Sequence, residues 1–503
     1  MAEPDVVYRS AQGRWVLLAT ILGSGMAQLD GTVVNVALPR IGENLNAGLT
    51  SLQWTLNAYT LTLSGLLLLG GSLGDRLGRR RIFIIGTIWF AVASAGCALA
   101  PTAGVLIATR ALQGVGAALL TPGSLAILEA VFRKEDRAEA VGAWSGLGGV
   151  ASAIGPVVGG VLVGAAPWGW RLAFLINLPL AAAVVIVAAR HVPETRDEHA
   201  TGRLDVAGAA SAAIGLALVI YALTEGPDQG WPSSVVASLV IGLVVIAGFV
   251  VREARTANPM LPLGLFRSRQ FSGANVVTLV VYAALSGALF LLPVQLQRVV
   301  GFSPVAAGSA LLPVTAVMLL LSARMGRLAQ RIGPRKPMTL GPIVAGAGLA
   351  LLTELGPSSS YLTSVLPAMI LFALGLSATV APLTATVLAA APPHQIGIAS
   401  AVNNDVARTA GLLAVAVLPG VAGITQATYA HPASLSTGFH HAIVIAACCC
   451  ALGGVLSWFV ISDDVLDRGS PLPGTHCEPG TTPLRTCGIE PQPTGVADTA
   501  GER

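Results

Sequence analysis

Apolar residues run along this chain in long blocks, each closed by a cluster of charge or by Gly and Pro. Crossing roughly 30 Å of hydrocarbon takes about 20 residues of helix. Blocks of that order lie at 15–39, 50–72, 82–100, 104–128, 138–163, 172–190, 205–224, 234–252, 271–294, 304–323, 337–355, 363–390, 398–421 and 440–461. The pattern predicts an all-α polytopic membrane protein with fourteen spanning helices.

Charge gives those spans a direction. With the N-terminus inside, 24 of the 29 Lys and Arg residues fall in inner segments. Arg40, Arg171 and Arg298 fall outside, and Arg110 and Arg408 lie within spans. Cytoplasmic loops carry the positive excess in membrane proteins, so both termini are expected in the cytoplasm. Trp54, Trp168, Trp170 and Trp231 sit near outer ends, where an interfacial belt is expected.

Composition agrees. Of 503 residues, 54% are hydrophobic and only 11% charged, against about a quarter charged in soluble domains. Cys97 and Cys448 to Cys450 fall in apolar blocks, and Cys477 and Cys487 in a Pro/Gly-rich tail. Neither they nor His394, His431, His440 and His441 form a disulfide framework or have metal spacing. Glu3 and Asp5, ahead of an overlong apolar block, do not suit a cleaved signal. No phosphate-cradling G-x-x-x-x-G-K-[ST] run is present. No cofactor, metal, nucleotide or nucleic acid is therefore expected, and the chain is expected to work as a monomer.

The densest charge, "GGSLGDRLGRRR" at 70–81, recurs. Gly71, Leu73, Asp75, Arg76, Gly78 and Arg80 align without gaps on Gly326, Leu328, Gln330, Arg331, Gly333 and Arg335. Each copy follows the second span of a six-span group once the two spans near 205–224 and 234–252 are set aside. The chain thus divides into a cytoplasmic N-terminus (1–14), a six-helix bundle (15–190), a linker with two extra spans (191–270), a second bundle (271–461) and a disordered cytoplasmic tail (462–503). Parallel repeats of this kind build transporters with the substrate path between the halves. Asp75 beside arginines at headgroup level reads as a latch that makes or breaks an ion pair as the halves rock; the alternative is a plain topological anchor. Since Gln330 replaces the acid in the second copy, charge switching is expected in the N-terminal half.

Four stretches resemble the major facilitator superfamily, specifically its fourteen-helix drug:proton antiporter branch. Asp75 and its Gly/Arg frame are similar to the signature between spans two and three. "LIATRALQGVGAALL" (106–120) is similar to the fourth-span motif, with Arg110, Gln113 and Gly114 matching. "GAWSGLGGVASAIGPVVGG" (142–160) resembles the fifth-span antiporter motif, with Gly155, Pro156, Gly159 and Gly160 matching and Ala151 in place of a usual glycine. "LDGTVVNVALPRI" (29–41) resembles the first-span motif of the branch, with Asp30, Thr32, Asn35, Ala37 and Pro39 matching. The resemblance implies the major facilitator fold, two six-helix bundles plus two inserted helices, and a secondary active transporter rather than an enzyme. It further implies export from a bacterial plasma membrane of hydrophobic or amphiphilic drugs or antibiotics in exchange for protons, and a proton-transfer role for Arg110. An uptake symporter on the same fold and a transport-dead sensor or scaffold remain the alternatives.

Other candidates follow from where polar residues interrupt spans. An ionisable group mid-membrane costs about 2.5–3.5 kcal/mol and normally faces a cavity and a partner. Asp30 is therefore expected to face a cavity as a proton-coupling or cation-binding carboxylate, with a structural hydrogen bond as the alternative. Arg110 is expected to pair with a carboxylate, or else to satisfy backbone carbonyls. Asp405 and Arg408, three apart, are expected to pair locally. Gly142, Gly146, Gly155, Gly159 and Gly160 should line a close-packing face, and Pro156 should weaken that helix. Gln28, Asn57, Tyr59, Asn275, Tyr282, Asn404 and Asp405 are candidate pocket-lining points, with Gln295 a further polar interruption.

Overall fold

The computed structural model describes residues 6–197, 205–256, 259, 261–392 and 395–466. Residues 1–5, His394 and most of the expected tail, with Cys477 and Cys487, lie outside the described residues. Among the described residues fourteen membrane-length helices follow one another: α1 (Ala11–Leu45), α2 (Leu49–Leu77), α3 (Arg79–Leu99), α4 (Ala103–Val131), α5 (Arg137–Gly164), α6 (Gly169–His191), α7 (Val206–Gln229), α8 (Ser233–Arg255), α9 (Arg269–Arg298), α10 (Pro304–Ile332), α11 (Arg335–Glu354), α12 (Tyr361–Ala389), α13 (Ile396–Val421) and α14 (Pro432–Val460). Thirteen contain an apolar stretch long enough to cross a membrane. In α13 the polar run Asn403, Asn404, Asp405 and Arg408 dilutes the apolar content.

Several helices outrun their apolar blocks. The 35 residues of α1 measure about 52 Å at roughly 1.5 Å per residue, well beyond the hydrocarbon. Its start is fixed by Ser10, whose hydroxyl accepts from the Gly13 amide at 2.9 Å. It ends where Asn46 turns left-handed at φ 48°. Asp75 and Arg76 consequently sit in the last turn of α2.

Packing repeats between the two groups of six. In the first, α2 and α3 pack on α4, α1 on α5 and α6, and α3 on α6. In the second, α10 and α11 pack on α12, α9 on α13 and α14, and α11 on α14. These are the same five pairings at equivalent places. Across the seam α5 meets α10, α2 meets α13, and α1 meets α9. The inserted α7 and α8 pair with each other; α7 leans on both α2 and α13, while α8 stays at the periphery.

Burial is lopsided along the membrane normal. On the face away from the arginine-rich loops one apolar core joins both halves, with Leu38 and Leu52 continuous with Phe290 and Ala307. Toward the arginine-rich face the core splits. Phe83, Leu128 and Phe132 belong to one half only, and Phe271, Met338 and Leu383 to the other.

The tryptophans only partly match the expected belt. Trp168 and Trp231 are exposed, but Trp170 is fully buried and donates to Asn44 Oδ1 at 3.0 Å. Trp54 donates to Glu225 of α7 at 3.2 Å. An indole N–H finds a partner wherever one is in reach.

Candidate functional site

Asp30 on α1 and Arg110 on α4 meet inside the first bundle, both wholly shielded from solvent. Arg110 Nη1 donates to Asp30 Oδ2 at 2.5 Å and to Gln113 Oε1 at 2.6 Å, and its Nε donates to the Thr55 carbonyl at 3.0 Å. Asp30 Oδ1 accepts from Gln113 Nε2 and from Asn177 Nδ2, both at 2.9 Å. Ser94 on α3 closes the ring, accepting from Gln113 at 3.1 Å and Asn177 at 3.0 Å and donating to the Phe174 carbonyl at 3.0 Å. The guanidinium also lies 4.2 Å over the Tyr59 ring and 5.7 Å from that of Phe174. Such flat, delocalised cations stack well on aromatic faces.

Arg110 thus has its carboxylate partner. Asp30 departs from expectation in one respect, since it lines neither of the cavities that lie between the halves. Gln113 and Asn177 occupy its donor-seeking oxygen, and Tyr59, donating to the Ala27 carbonyl at 3.2 Å, stands between the pair and the open space. Its chain neighbour Gly31 does line that space.

Between the halves lie two adjoining cavities of about 710 and 390 Å³, sharing Gly31, Thr60, Asn404 and Arg408 in their walls. The larger reaches Gln28, Tyr59, Gly71 and Asp75 toward the arginine-rich face, and the smaller holds Asn57 and Tyr282. Both volumes are in the range of drug-sized pockets. Five of the seven polar candidates are therefore brought together here. Asn275 and Asp405 are not; they line a separate cavity. Gln295 is buried near the opposite face, donating to the Leu355 carbonyl and Ser436. The Asp405–Arg408 pair does not form. The two side chains enter different cavities, and no described carboxylate lies within ion-pair reach of Arg408. The spacing allows such a pair, but Arg408 extends into the central space while Asp405 faces the cavity on the other side of the helix.

The seam is shut on the side away from the arginine-rich loops. Gln53 Nε2 donates to the Val415 carbonyl at 2.6 Å and Gln297 Nε2 to the Val36 carbonyl at 3.0 Å. A side chain on Gly160 would meet the Pro304 carbonyl at 2.6 Å, and one on Gly308 would strike that of Pro156. Gly155 and Gly159 press α5 onto Thr32 and Val33 of α1 in the same way. Gly142 and Gly146 do not join this face; a side chain there meets nothing within 4 Å. The close-packing stripe occupies only the half of α5 around Pro156.

Where α2 gives way to α3, Asp75 in the last turn of α2 pairs with Arg79, the first residue of α3, at 2.8 Å, and not with Arg76 or Arg80. Gly78 has φ 109°, open to glycine at little cost. Glu194, the third residue past α6, caps the start of α3: it accepts from the Arg80 amide at 3.0 Å and the Arg81 amide at 3.2 Å and lies 3.6 Å from the Arg80 guanidinium. The second copy reproduces this with Gly333 at φ 82° and Asp463, third past α14, accepting from the Arg335 amide at 3.1 Å. Sequence reasoning missed Asn177, Ser94, Arg79, Glu194 and Asp463. Only the acids carried a signal, as carboxylates just beyond a span, where they suit a helix N-terminus.

The chain matches the family described as the Major Facilitator Superfamily over residues 20–416. It is 36% identical over 461 residues to the puromycin resistance protein of Streptomyces alboniger, covering 89% of this chain and 91% of that one. It is 33% identical over 404 residues to a tetracenomycin C resistance and export protein of Streptomyces glaucescens, covering 80% and 74%. A bacterial homologue of the human lysosomal transporter Spinster, solved inward-facing and unoccupied, superposes with TM-score 0.67 at 18% identity, covering 92% of this chain and 99% of that one. Two like-packed groups of six helices around a central cavity, with relatives matched along most of their length, make this chain a member of the Major Facilitator Superfamily.

Proposed function

We propose that this chain is a monomeric proton-coupled antiporter that exports amphiphilic antibiotics or drugs from the cytoplasm by alternating access. Relatives named for puromycin and tetracenomycin C resistance support the substrate class. The arginine-rich face is the cytoplasmic one, which makes the described state open to the cytoplasm.

The observation that carries the coupling is the shielded Asp30–Arg110 pair one residue from the cavity wall. A buried ion pair adds little to stability when apolar residues could replace it, and ionisable groups inside a membrane mark transport pathways. Protonation of Asp30 cancels its attraction for Arg110, and the freed guanidinium pulls on the Thr55 carbonyl and on Tyr59, which both belong to the cavity-lining α2. A proton moved through ~150 mV supplies about 3.5 kcal/mol, a few-hundred-fold gradient of a neutral solute. Arg408 and the amides of Gln28, Asn57 and Asn404 offer donors to carbonyl and hydroxyl groups on an aromatic substrate.

Inverted vesicles from a pump-deficient bacterium expressing the chain test this. Puromycin added to energised vesicles should enter the lumen and draw protons out, in a way that a protonophore and Asp30→Asn both abolish. Uptake that persists with the protonophore removes the coupling, and proton movement of the opposite sign makes the chain a symporter.

A further inference from the structure

Away from the central space lies a third cavity of about 460 Å³, bounded by α2, α7, α8, α9 and α13. It shares no lining residue with the central pair. Without the inserted helices it would be open on one side, because Ala209, Ala212 and Leu216 of α7 and Phe249 of α8 complete its wall. The lining comes from the halves of α2, α7, α9 and α13 nearest the arginine-rich face, so the cavity lies at the level of one leaflet.

Its walls are mostly apolar, and two of their polar atoms lack partners. The Oδ1 of Asp405 and the Oγ of Ser64 are both shielded and hydrogen-bonded to nothing. Two other polar residues of the lining are engaged elsewhere: Asn275 donates to the Phe271 carbonyl and accepts from Asn403, and Ser272 donates to the Phe266 carbonyl. Arg408 acts on Asp405 only from a distance, and a carboxylate in such a wall with no directly paired cation is costly at this depth. Buried charges are normally paired. What the walls and the two idle oxygens jointly fit is an apolar body carrying one ammonium N–H.

We infer that this lateral cavity is a binding site for a lipophilic ammonium ion, with Asp405 as its counter-ion and Ser64 as a second acceptor. The site stands apart from the central cavity and from proton coupling, so it is read by binding alone. A ligand dissolved in the leaflet reaches it beside the peripheral α8.

The test uses the full chain purified in dodecyl maltoside with radiolabelled imipramine, a tricyclic amine protonated at neutral pH, and its uncharged analogue N-acetyldesipramine. Imipramine should bind saturably. Asp405→Asn should weaken it roughly tenfold to a hundredfold, the worth of a hydrogen bond to a charged group, and the uncharged analogue should bind equally weakly to both proteins. Imipramine should shield Phe249→Cys, but not Gln28→Cys, from a permeant maleimide read by mass spectrometry. Val276→Trp, which fills the cavity and leaves Asp405 in place, should abolish that shielding. Phosphatidylethanolamine competing where phosphatidylglycerol does not identifies a lipid ammonium as the occupant; no competition identifies a solute. Equal imipramine affinity in Asp405→Asn, or an unshielded Phe249→Cys, overturns the site.

Discussion

Replacing Asp30 with Asn removes one charge and keeps the shape. If the remaining oxygen still accepts from Gln113 and Asn177, as Oδ1 does at 2.9 Å, the new amide faces Arg110 Nη1, donor against donor, where a 2.5 Å contact stood. Arg110 is fully shielded, so its charge has only the Thr55 carbonyl, Gln113 and two aromatic rings for company. Breaking a buried pair by removing one partner costs about 3–5 kcal/mol. Arg110→Gln alone leaves Asp30 charged with two amide donors and should cost a similar amount. The double replacement removes both charges and should recover most of either loss, leaving a coupling energy of at least about 2 kcal/mol. Thermal unfolding of the four proteins in one detergent gives the comparison: both single variants should unfold well below the parent, and the double variant above both. An Asp30→Asn protein as stable as the parent, or losses that simply add, would refute the claim that these two charges exist for each other.

Gly308→Val should strike the Pro156 carbonyl and hold the seam apart. A cysteine at Gln297 should then label faster with an impermeant maleimide from the face away from the arginine-rich loops, while export of the same compounds falls. Glu194→Ala strips the cap from α3 and should lower stability by about 0.5–2 kcal/mol, with Asp463→Ala giving a loss of like size; thermal unfolding reads both. Arg252, reaching Asp205 at 2.5 Å across the α7–α8 pair, holds that carboxyl below the usual carboxylate range. A depressed folded-state value means a contribution present above the ordinary carboxylate range and lost as pH falls through the folded value. The parent should therefore lose more thermal stability than Asp205→Asn on acidification, and neither should differ in slope near neutrality.

The spans were legible because a bilayer demands long apolar blocks, and the pairing of Asp30 with Arg110 was half legible because a lone charge in such a block needs a partner. Helix ends were not, since Asp75 and Arg76 continue α2 through water, where hydropathy is silent. Partners such as Asn177 and Ser94 stayed hidden, because a single Asn or Ser in a span says nothing of which neighbour it faces. Asp405 shows the limit most plainly. Its spacing from Arg408 allowed a pair, and only the packing of α13 against α7 and α9 on one side and the central space on the other sends the two apart. In α5 the glycine spacing ran on through Gly142 and Gly146, yet a side chain there would meet nothing within 4 Å; periodicity marks a face, and a neighbour must still arrive.

The two acids that finish α3 and α11 set an order for the chain's own assembly. Glu194 lies beyond the sixth span, so the turn it secures, laid down more than a hundred residues earlier, stays loose until that span has left the ribosome and entered the lipid. Asp463 stands in the same relation to the second group. Each bundle thus carries its closing clasp at its very end, and a chain that stops short of it leaves the first amides of α3 or α11 without their acceptor.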